Sequence, residues 1–318
     1  MAFRYCAVGL IAAALAAGPA SAQVVGLGTT KGGATDQISA AVSKVVSAHS
    51  EVQMRPEPMG GTQQYIPVVN AGELAFGLAN MMQTWMAYTG TGLSEGNKYD
   101  NLRIAATMMR FQTGPLVANR SDIKKTSDLK GKRMPYGFRQ APLFQFVSEG
   151  VLANGGLGWD DVTKVPQVAL RQHWDAIKQG KIDMVIGAAG TAAIQEMDSV
   201  IDGGIRYLSL DDSPEAWKRT QKILPRTYLT TLKPEGKLVG VHGNVNIITY
   251  DYELVVHKGV PDDTVYKVVK ALHANEKELK ESSPLWRSHS SAGMAKDQGM
   301  PYHPGAEKFY KEAGIWKR

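Results

Sequence analysis

Cysteine is almost absent from this chain of 318 residues, which contains only Cys6. Cys6 lies in an N-terminal segment that the sequence marks for removal, so we expect a mature protein with no disulfide bond. Such a chain depends on its apolar core for stability, even in an oxidising compartment. The shortage of cysteine also excludes a thiol nucleophile in the mature protein.

Long apolar runs are missing after residue 22, and a membrane-spanning helix needs about 20 apolar residues. The first 22 residues instead combine a positive Arg4, an apolar run from Ala7 to Ala17, and the small-x-small ending Ala20-Ser21-Ala22. This pattern predicts a signal peptide over residues 1–22, cleaved after Ala22, and export to the periplasm. We expect the mature chain not to be embedded in the membrane.

Common catalytic and metal-binding motifs are missing as well. A dinucleotide fingerprint that begins Gly26-x-Gly28 needs a glycine at position 31, where Lys31 stands. The chain has no Gly-x-Ser-x-Gly nucleophile motif, and its seven histidines show no spacing to acidic residues typical of a metal site. We therefore expect no catalytic residue, no cofactor and no metal, and a protein that is not an enzyme.

The charge balance is moderately basic: 36 Lys and Arg against 30 Asp and Glu give a formal net charge of +6, which falls by one with Arg4. The two signs are interleaved, as in residues 275–280, which is typical of a solvated helix face. We therefore expect no nucleic-acid partner. For an exported protein, the positive balance favours attraction of small anions.

An internal repeat is the most informative feature that is present. Residues 70–78 resemble residues 178–186: in each, a helix ends at a glycine, Gly72 or Gly180, and a short apolar strand follows. Two α/β lobes built to one plan would bring their strand-end loops together across a cleft. The repeat therefore predicts a binding architecture.

The hydrophobic pattern locates several elements of these lobes. Apolar residues at helical spacing between Ile38 and Val46 predict a first helix, and Thr62 begins a second one that ends at Gly72. Strand candidates follow at 102–109, 115–118, 245–249 and 253–256. We expect a discontinuous first lobe of residues 23–117 plus 249–318, a second lobe of residues 118–248, and two hinge crossings.

Candidate ligand-binding residues lie in the loops that follow the predicted strands, because ligands of open α/β sheets bind outside the carboxyl ends of the strands. Helix N-termini in these loops favour an anionic group. Arg139 could hold a carboxylate in bidentate fashion, and Lys31 offers a second cation. The full set is Thr30, Lys31, Thr62, Gln63, Asn80, Met81, Phe138, Arg139, Gln140, Arg171 and Thr191.

Each candidate also has a purely structural interpretation. An isolated Arg or Lys is usually a solvated surface residue, which applies to Lys31, Arg139 and Arg171. Methionine at helical spacing, such as Met81, is more often part of the core than of a pocket wall. Both interpretations remain open at this point.

The chain resembles the TAXI group of substrate-binding proteins that serve TRAP transporters. The matching segments are the Gly-rich loop 28–33, Gly60-Gly61-Thr62, Asn70-x-Gly72-Glu73-Leu74-Ala75, residues 123–133 and Gly180-Lys181-Ile182-Asp183. The resemblance implies a two-lobed periplasmic binding protein fold that closes on a small ligand and delivers it to the membrane subunits of a TRAP transporter. It also implies a carboxylate ligand, such as glutamate or 2-oxoglutarate.

Two loops depart from the pattern of that group. The first loop usually carries an aromatic residue after its glycines, where Ala34-Thr35-Asp36 stands here. The second-lobe loop is usually Gly-Ser-Gly-Thr-like, and here it is Gly137-Phe138-Arg139-Gln140-Ala141. These changes shift anion recognition toward Arg139 and predict a more apolar site beside Phe138.

The sequence thus predicts a periplasmic receptor for a small organic anion, a mono- or dicarboxylate, that serves a TRAP-type transporter. Two alternatives remain open, because a fold does not fix a function. One is a periplasmic subunit that presents its ligand to a two-component sensor kinase. The other is a secreted enzyme on the same fold.

Overall fold

The computed structural model describes Met1, residues 23–234 and residues 238–317. The predicted signal peptide, apart from Met1, lies outside the described residues. The first part of the described chain alternates strands and helices: β1 (Gln23–Thr30), α1 (Gly33–His49), β2 (Val52–Met59), α2 (Thr62–Ala71), β3 (Phe76–Asn80), α3 (Met81–Thr89) and β4 (Leu102–Ala118).

The middle and the end of the chain continue this alternation and then add helices. The middle elements are β5 (Arg133–Gly137), α4 (Leu143–Asn154), β6 (Thr163–Gln167), α5 (Leu170–Lys178), β7 (Val185–Ala188), α6 (Ala192–Val200), β8 (Ile205–Tyr207), α7 (Pro214–Ile223) and β9 (Tyr228–Leu232). The last elements are β10 (Val245–His257), α8 (Asp262–Ala274), α9 (Glu276–Ser282) and α10 (Pro304–Glu312). Short 3-10 turns occupy 92–94, 126–129, 159–161, 284–288 and 291–293.

One curled, mixed sheet runs through the molecule in the order β2-β1-β3-β10-β4-β7. β1 is parallel to β2 and β3, whereas β10 is antiparallel to β3 and β4. β8 adds to β4 and β9 adds to β10, while β5 and β6 form a separate parallel pair. The strands of the first part thus meet those of the middle part through β4 and β10.

β4 and β10 are long strands that take part in both halves of this sheet. Residues 102–113 of β4 pair with residues 248–257 of β10, and the following part of β4 pairs with β7 and β8. The sequence predicts two separate strands in each of these segments, and that prediction is wrong: each segment is one strand. Cross-strand pairing of Arg110, Phe111 and Gln112 keeps the ladder intact where the apolar pattern breaks. The predicted lobe boundaries at 117/118 and 248/249 stay a prediction.

The helices cover the sheet with the apolar faces that the sequence pattern indicates. Ile38, Val42 and Val46 of α1 are fully buried. The glycines of the internal repeat adopt the predicted left-handed conformation, with φ of 81° at Gly72 and 64° at Gly180. The N–H of Gly72 donates to the carbonyl oxygens at the end of α2, which closes that helix. No helix among the described residues is both long enough and apolar enough to cross a membrane.

Candidate functional site

A cavity of about 70 Å³ lies where the two halves of the sheet meet. Its lining includes Thr30 at the end of β1, Asn80 at the end of β3 and Ala188 at the end of β7. The loops of both halves face it, and a Cβ atom built on Gly61 would lie 3.1 Å from the carbonyl oxygen of Gln140. The two sides of the cleft are therefore nearly in contact in this structure.

The polar part of the lining consists of neutral hydroxyl and amide groups. Asn80 caps α3 by accepting a hydrogen bond from the backbone N–H of Gln83 at 2.8 Å, and the Gln83 amide donates to Gln63 Oε1 at 2.9 Å. These three amides form a connected chain along one wall. Besides two tyrosines, the residues with hydroxyl or amide side chains in the lining are Thr30, Thr35, Thr62, Gln63, Asn80, Gln83, Thr113 and Thr191.

Three stacked aromatic rings from the crossing strands form another wall. Phe111 of β4 stacks with Tyr250 and with Tyr252 of β10, with ring centroids 5.3 and 4.9 Å apart and interplanar angles of 11° and 25°. The hydroxyls of Tyr252 and Thr35 share a hydrogen bond of 2.6 Å. Burial raises the pKa of both tyrosine hydroxyls well above the usual range, so both stay protonated at neutral pH.

The third wall is apolar and belongs to the middle part of the chain. Leu143, Phe144 and Val147 come from the start of α4, and Leu170 and Trp174 come from α5. The Trp174 indole N–H donates to the carbonyl oxygen of Ile186 at 3.0 Å, which fixes the ring against β7. The cavity thus combines apolar walls with a few fixed polar groups, as small-molecule sites commonly do.

His173 supports this apolar wall from behind. Its ring is fully buried, 5.2 Å from the ring of Phe138 and 5.5 Å from that of Phe144. Its two nitrogens face the carbonyl oxygens of Leu170 and Ile186. Desolvation lowers the pKa of His173 from 6.5 to about 4, so the ring is neutral at physiological pH.

No charged side chain lines this cavity among the residues that the structure describes. The same part of the chain holds no group of three or more His, Cys, Asp or Glu that could bind a metal ion. Any electrostatic attraction at the site therefore comes from dipoles and neutral donors.

Five helices begin at the cavity without a side-chain cap: α1, α2, α4, α5 and α6. Two of them start on opposite sides of the cleft: α2, which follows Gly61, and α6, which follows Thr191. Within the described part of the chain, the backbone N–H groups of Thr62 and Gln63 have no acceptor, and the same holds for Ala192 and Ala193. Free N–H groups and the positive end of the helix dipole make such termini suitable for an anion.

The structure brings five of the predicted ligand-binding residues to this cavity: Thr30, Thr62, Gln63, Asn80 and Thr191. Arg171 lies instead at a second, more open cavity of about 390 Å³ that shares Gly32 and Trp174 with the first. There Lys178 pairs with Asp175 and Glu196 at 2.8 and 2.7 Å.

The other five predicted residues do not line the cavity. Lys31, Arg139 and Gln140 are exposed, because their loops turn the side chains toward solvent. Met81 is buried in the core, as the structural interpretation of its helical spacing suggests. Phe138 is buried, with its ring against that of Phe144, and is not part of the cavity lining. The ligand contacts of all eleven residues stay predictions.

Sequence reasoning missed the aromatic wall and Gln83. Tyr250 and Tyr252 alternate with Asp251 along one strand, so both rings face the same side of the sheet. That alternation was a usable signal, but the partner ring of Phe111 becomes apparent only from the pairing of β4 with β10. Gln83 follows the Asn80 cap by three residues, the spacing at which a side chain meets the cap.

The sequence profile of the NMT1-like family matches residues 26–314. Among solved structures, one described as a periplasmic transporter is 15% identical, covers 93% of each chain and has a TM-score of 0.58. PhnD1 from Prochlorococcus marinus, in complex with methylphosphonate, is 11% identical, with 92% of this chain and 99% of that chain covered and a TM-score of 0.54.

A third similar structure is a binding protein component of an ABC phosphonate transporter from Pseudomonas aeruginosa. It is 10% identical, covers 84% of this chain and 80% of that chain, and has a TM-score of 0.52. At these identities the likeness concerns the fold. The predicted α/β fold of two lobes with a ligand cleft between them is confirmed.

Proposed function

The chain belongs to the NMT1-like family, and from that premise we propose that it is a solute-binding receptor. It captures a small organic anion in the periplasm and delivers it to a membrane transporter. Export, the anionic ligand and the transporter are parts of this proposal.

The cleft cavity carries the proposal. It is lined from both lobes, with Thr30, Gln63 and Asn80 on one side and Leu170 and Thr191 on the other. A solute that contacts both sides stabilises the closed arrangement, because only that arrangement supplies all of its contacts. The two crossing strands allow the lobes to rotate without separating. A membrane partner can then distinguish the closed, ligand-bound protein from the ligand-free protein.

The chemistry of the lining favours binding over catalysis. Its side chains are hydroxyl, amide and apolar groups, and the tyrosine hydroxyls stay protonated at neutral pH because burial raises their pKa. General acid–base catalysis works best with a group that titrates near the operating pH. We therefore propose that the solute leaves the cleft unchanged.

The transporter is the finer part of the proposal. The sequence resemblance to the TAXI group implies membrane subunits of the TRAP type, driven by an ion gradient. One similar structure is instead described as a component of an ABC phosphonate transporter. We propose the TRAP type, which predicts uptake that collapses with the ion gradient and persists without ATP in proteoliposomes holding the permease and this receptor.

Native mass spectrometry of the purified mature chain, followed by denaturing extraction, tests the receptor function. We expect a co-purified small anion that is released with unchanged mass. Incubating the protein with that compound should give no product over hours. Product formation would replace the receptor with an enzyme, and a co-purified cation would refute the anionic ligand.

A further inference from the structure

The lack of charged side chains in the described cavity lining restricts which anions this site can hold. Its described lining contains no Arg, Lys, His, Asp or Glu. Burying a charged group is costly unless a partner compensates it. A dicarboxylate brings two negative charges and an amino acid brings one of each sign, so either needs more compensation from neutral donors than a single carboxylate does.

The cavity does offer compensation for a negative group. Thr62 and Gln63, whose N–H groups are free at the start of α2, line the cavity. α6 starts beside it at Thr191, while Ala192 and Ala193, whose N–H groups are also free, line the neighbouring cavity. Neither helix has an acidic residue in its first turn, so no side chain of these turns competes for the N–H groups. Because the two helices belong to opposite lobes, one carboxylate held between them would also join the lobes.

The aromatic wall adds a second, independent indication. The Phe111 ring stacks with both tyrosine rings, and all three residues line the cavity. Aromatic rings pack favourably against a further ring in offset or edge-to-face arrangements. The wall therefore suits a flat, apolar molecule that lies across it.

Tyr250 supplies the remaining polar group of this wall. Its side chain is 3% exposed and lines the cavity, yet its hydroxyl has no hydrogen-bond partner in the described part of the chain. The hydroxyl of Tyr252, by contrast, is already bonded to Thr35. The Tyr250 hydroxyl oxygen is not one of the enclosed polar atoms that lack a partner, so it is accessible at the cavity, where a ligand oxygen can accept its hydrogen bond.

We propose that the ligand is an aromatic monocarboxylate: one negative group held by the N-termini of α2 and α6, and a flat apolar body against the Phe111 wall. This inference rests on the proposed receptor function and names its ligand class. It replaces the broader expectation of a mono- or dicarboxylate with a single charge.

Isothermal titration of the mature chain, unfolded and refolded to remove any co-purified solute, tests the ligand class. The probes are benzoate and phenylacetate, their second-charge counterpart terephthalate, the ring-free dicarboxylate glutarate, and the uncharged benzyl alcohol. We expect benzoate or phenylacetate to bind at least tenfold more tightly than each of the other three. Tighter binding of terephthalate or glutarate, or equal binding of benzyl alcohol, would overturn the proposal.

Two variants test the contacts. Tyr250→Phe removes only the free hydroxyl and should weaken binding of the better aromatic acid about fivefold. Phe111→Leu removes the aromatic ring and should weaken that acid at least fivefold while changing cyclohexanecarboxylate binding less. Tyr136→Phe is the matched control, because its ring packs on Trp159 at 5.0 Å and does not line the cavity. Unchanged binding in both variants would refute the assigned wall.

The outcomes separate this inference from the receptor function. If glutarate binds and the aromatic acids do not, the ligand class is wrong and the receptor stands. If none of the probes binds, the ligand class is also wrong, and native mass spectrometry decides the receptor function by itself.

Discussion

Acid should destabilise this protein through one buried histidine behind the ligand cavity. Burial holds the pKa of His173 at about 4, below its ordinary value of 6.5. Because the folded pKa is depressed, the neutral ring contributes its full stability above pH 6.5. That contribution is lost as the pH falls toward 4, where the unfolded chain binds a proton that the folded chain does not. From pH 7.5 to pH 4.5 the loss amounts to about 2.5 kcal/mol of unfolding free energy.

Urea unfolding followed by tryptophan fluorescence at a series of pH values measures this loss. We compare the wild type with His173→Gln and His173→Phe, two variants that pack differently but both lack the titrating ring. Their absolute stabilities should differ, yet both should lose about 2.5 kcal/mol less than the wild type between pH 7.5 and 4.5. Parallel pH profiles for all three proteins would show that His173 is not neutral by burial, and would refute the reasoning.

Three further predictions concern the cleft. Arg139→Ala should change ligand affinity less than about twofold, because the exposed side chain lies outside the cavity; a tenfold loss by titration calorimetry would restore the sequence-based role of Arg139. Gly61→Ala should weaken binding by about 1 kcal/mol without lowering the melting temperature, because its Cβ would lie 3.1 Å from the Gln140 carbonyl oxygen only when the lobes are close; equal loss of melting temperature and affinity would contradict this. Tyr252→Phe should lower the unfolding free energy by about 1 kcal/mol, because it breaks the 2.6 Å hydrogen bond with Thr35; unchanged urea midpoints would refute the contribution of that bond.

Local patterns were sufficient for the two-lobe plan because the lobes repeat one local design. Gly72 and Gly180 both end a helix in the left-handed conformation, as their positions before short apolar strands indicate. The apolar spacing of Ile38 to Val46 likewise predicts the buried face of α1. These features depend on neighbours within a few residues, which a sequence displays directly.

The continuity of the crossing strands could not be predicted in this way. Arg110 and Gln112 interrupt the apolar pattern of β4, so the segment looks like two strands. Their backbones are nevertheless held by Asp251 and Thr249 of β10, which lie more than one hundred residues away in the chain. Pairing at that distance is a property of the whole fold and leaves no local signal.

In the candidate site, too, the positions set by local structure could be predicted and those set by distant parts of the chain could not. Thr30, Thr62, Asn80 and Thr191 could be selected because they end strands or begin helices, and the fold places such positions at the cleft. Arg139 also sits in a strand-end loop, but whether a long side chain turns into a cleft or into solvent depends on the opposing surface. Here the cleft side of that loop is occupied by the close approach of Gly61 to Gln140.

In the proposed receptor, the aromatic wall and the helix N-termini contact the ligand at different stages of cleft closure. Phe111, Tyr250 and Tyr252 stand on the two long strands β4 and β10, so in the proposed receptor their stack would stay in place when the lobes rotate. The helix N-termini at Thr62 and Thr191 lie on opposite sides of the cleft, and in that receptor they would approach each other on closure. A flat ligand can therefore bind the open protein through its apolar body, and its charge would be fully compensated only in the closed one. Lobe closure is then coupled to the negative charge of the ligand. The free energy that favours the closed form comes from the carboxylate, because both lobes contact it.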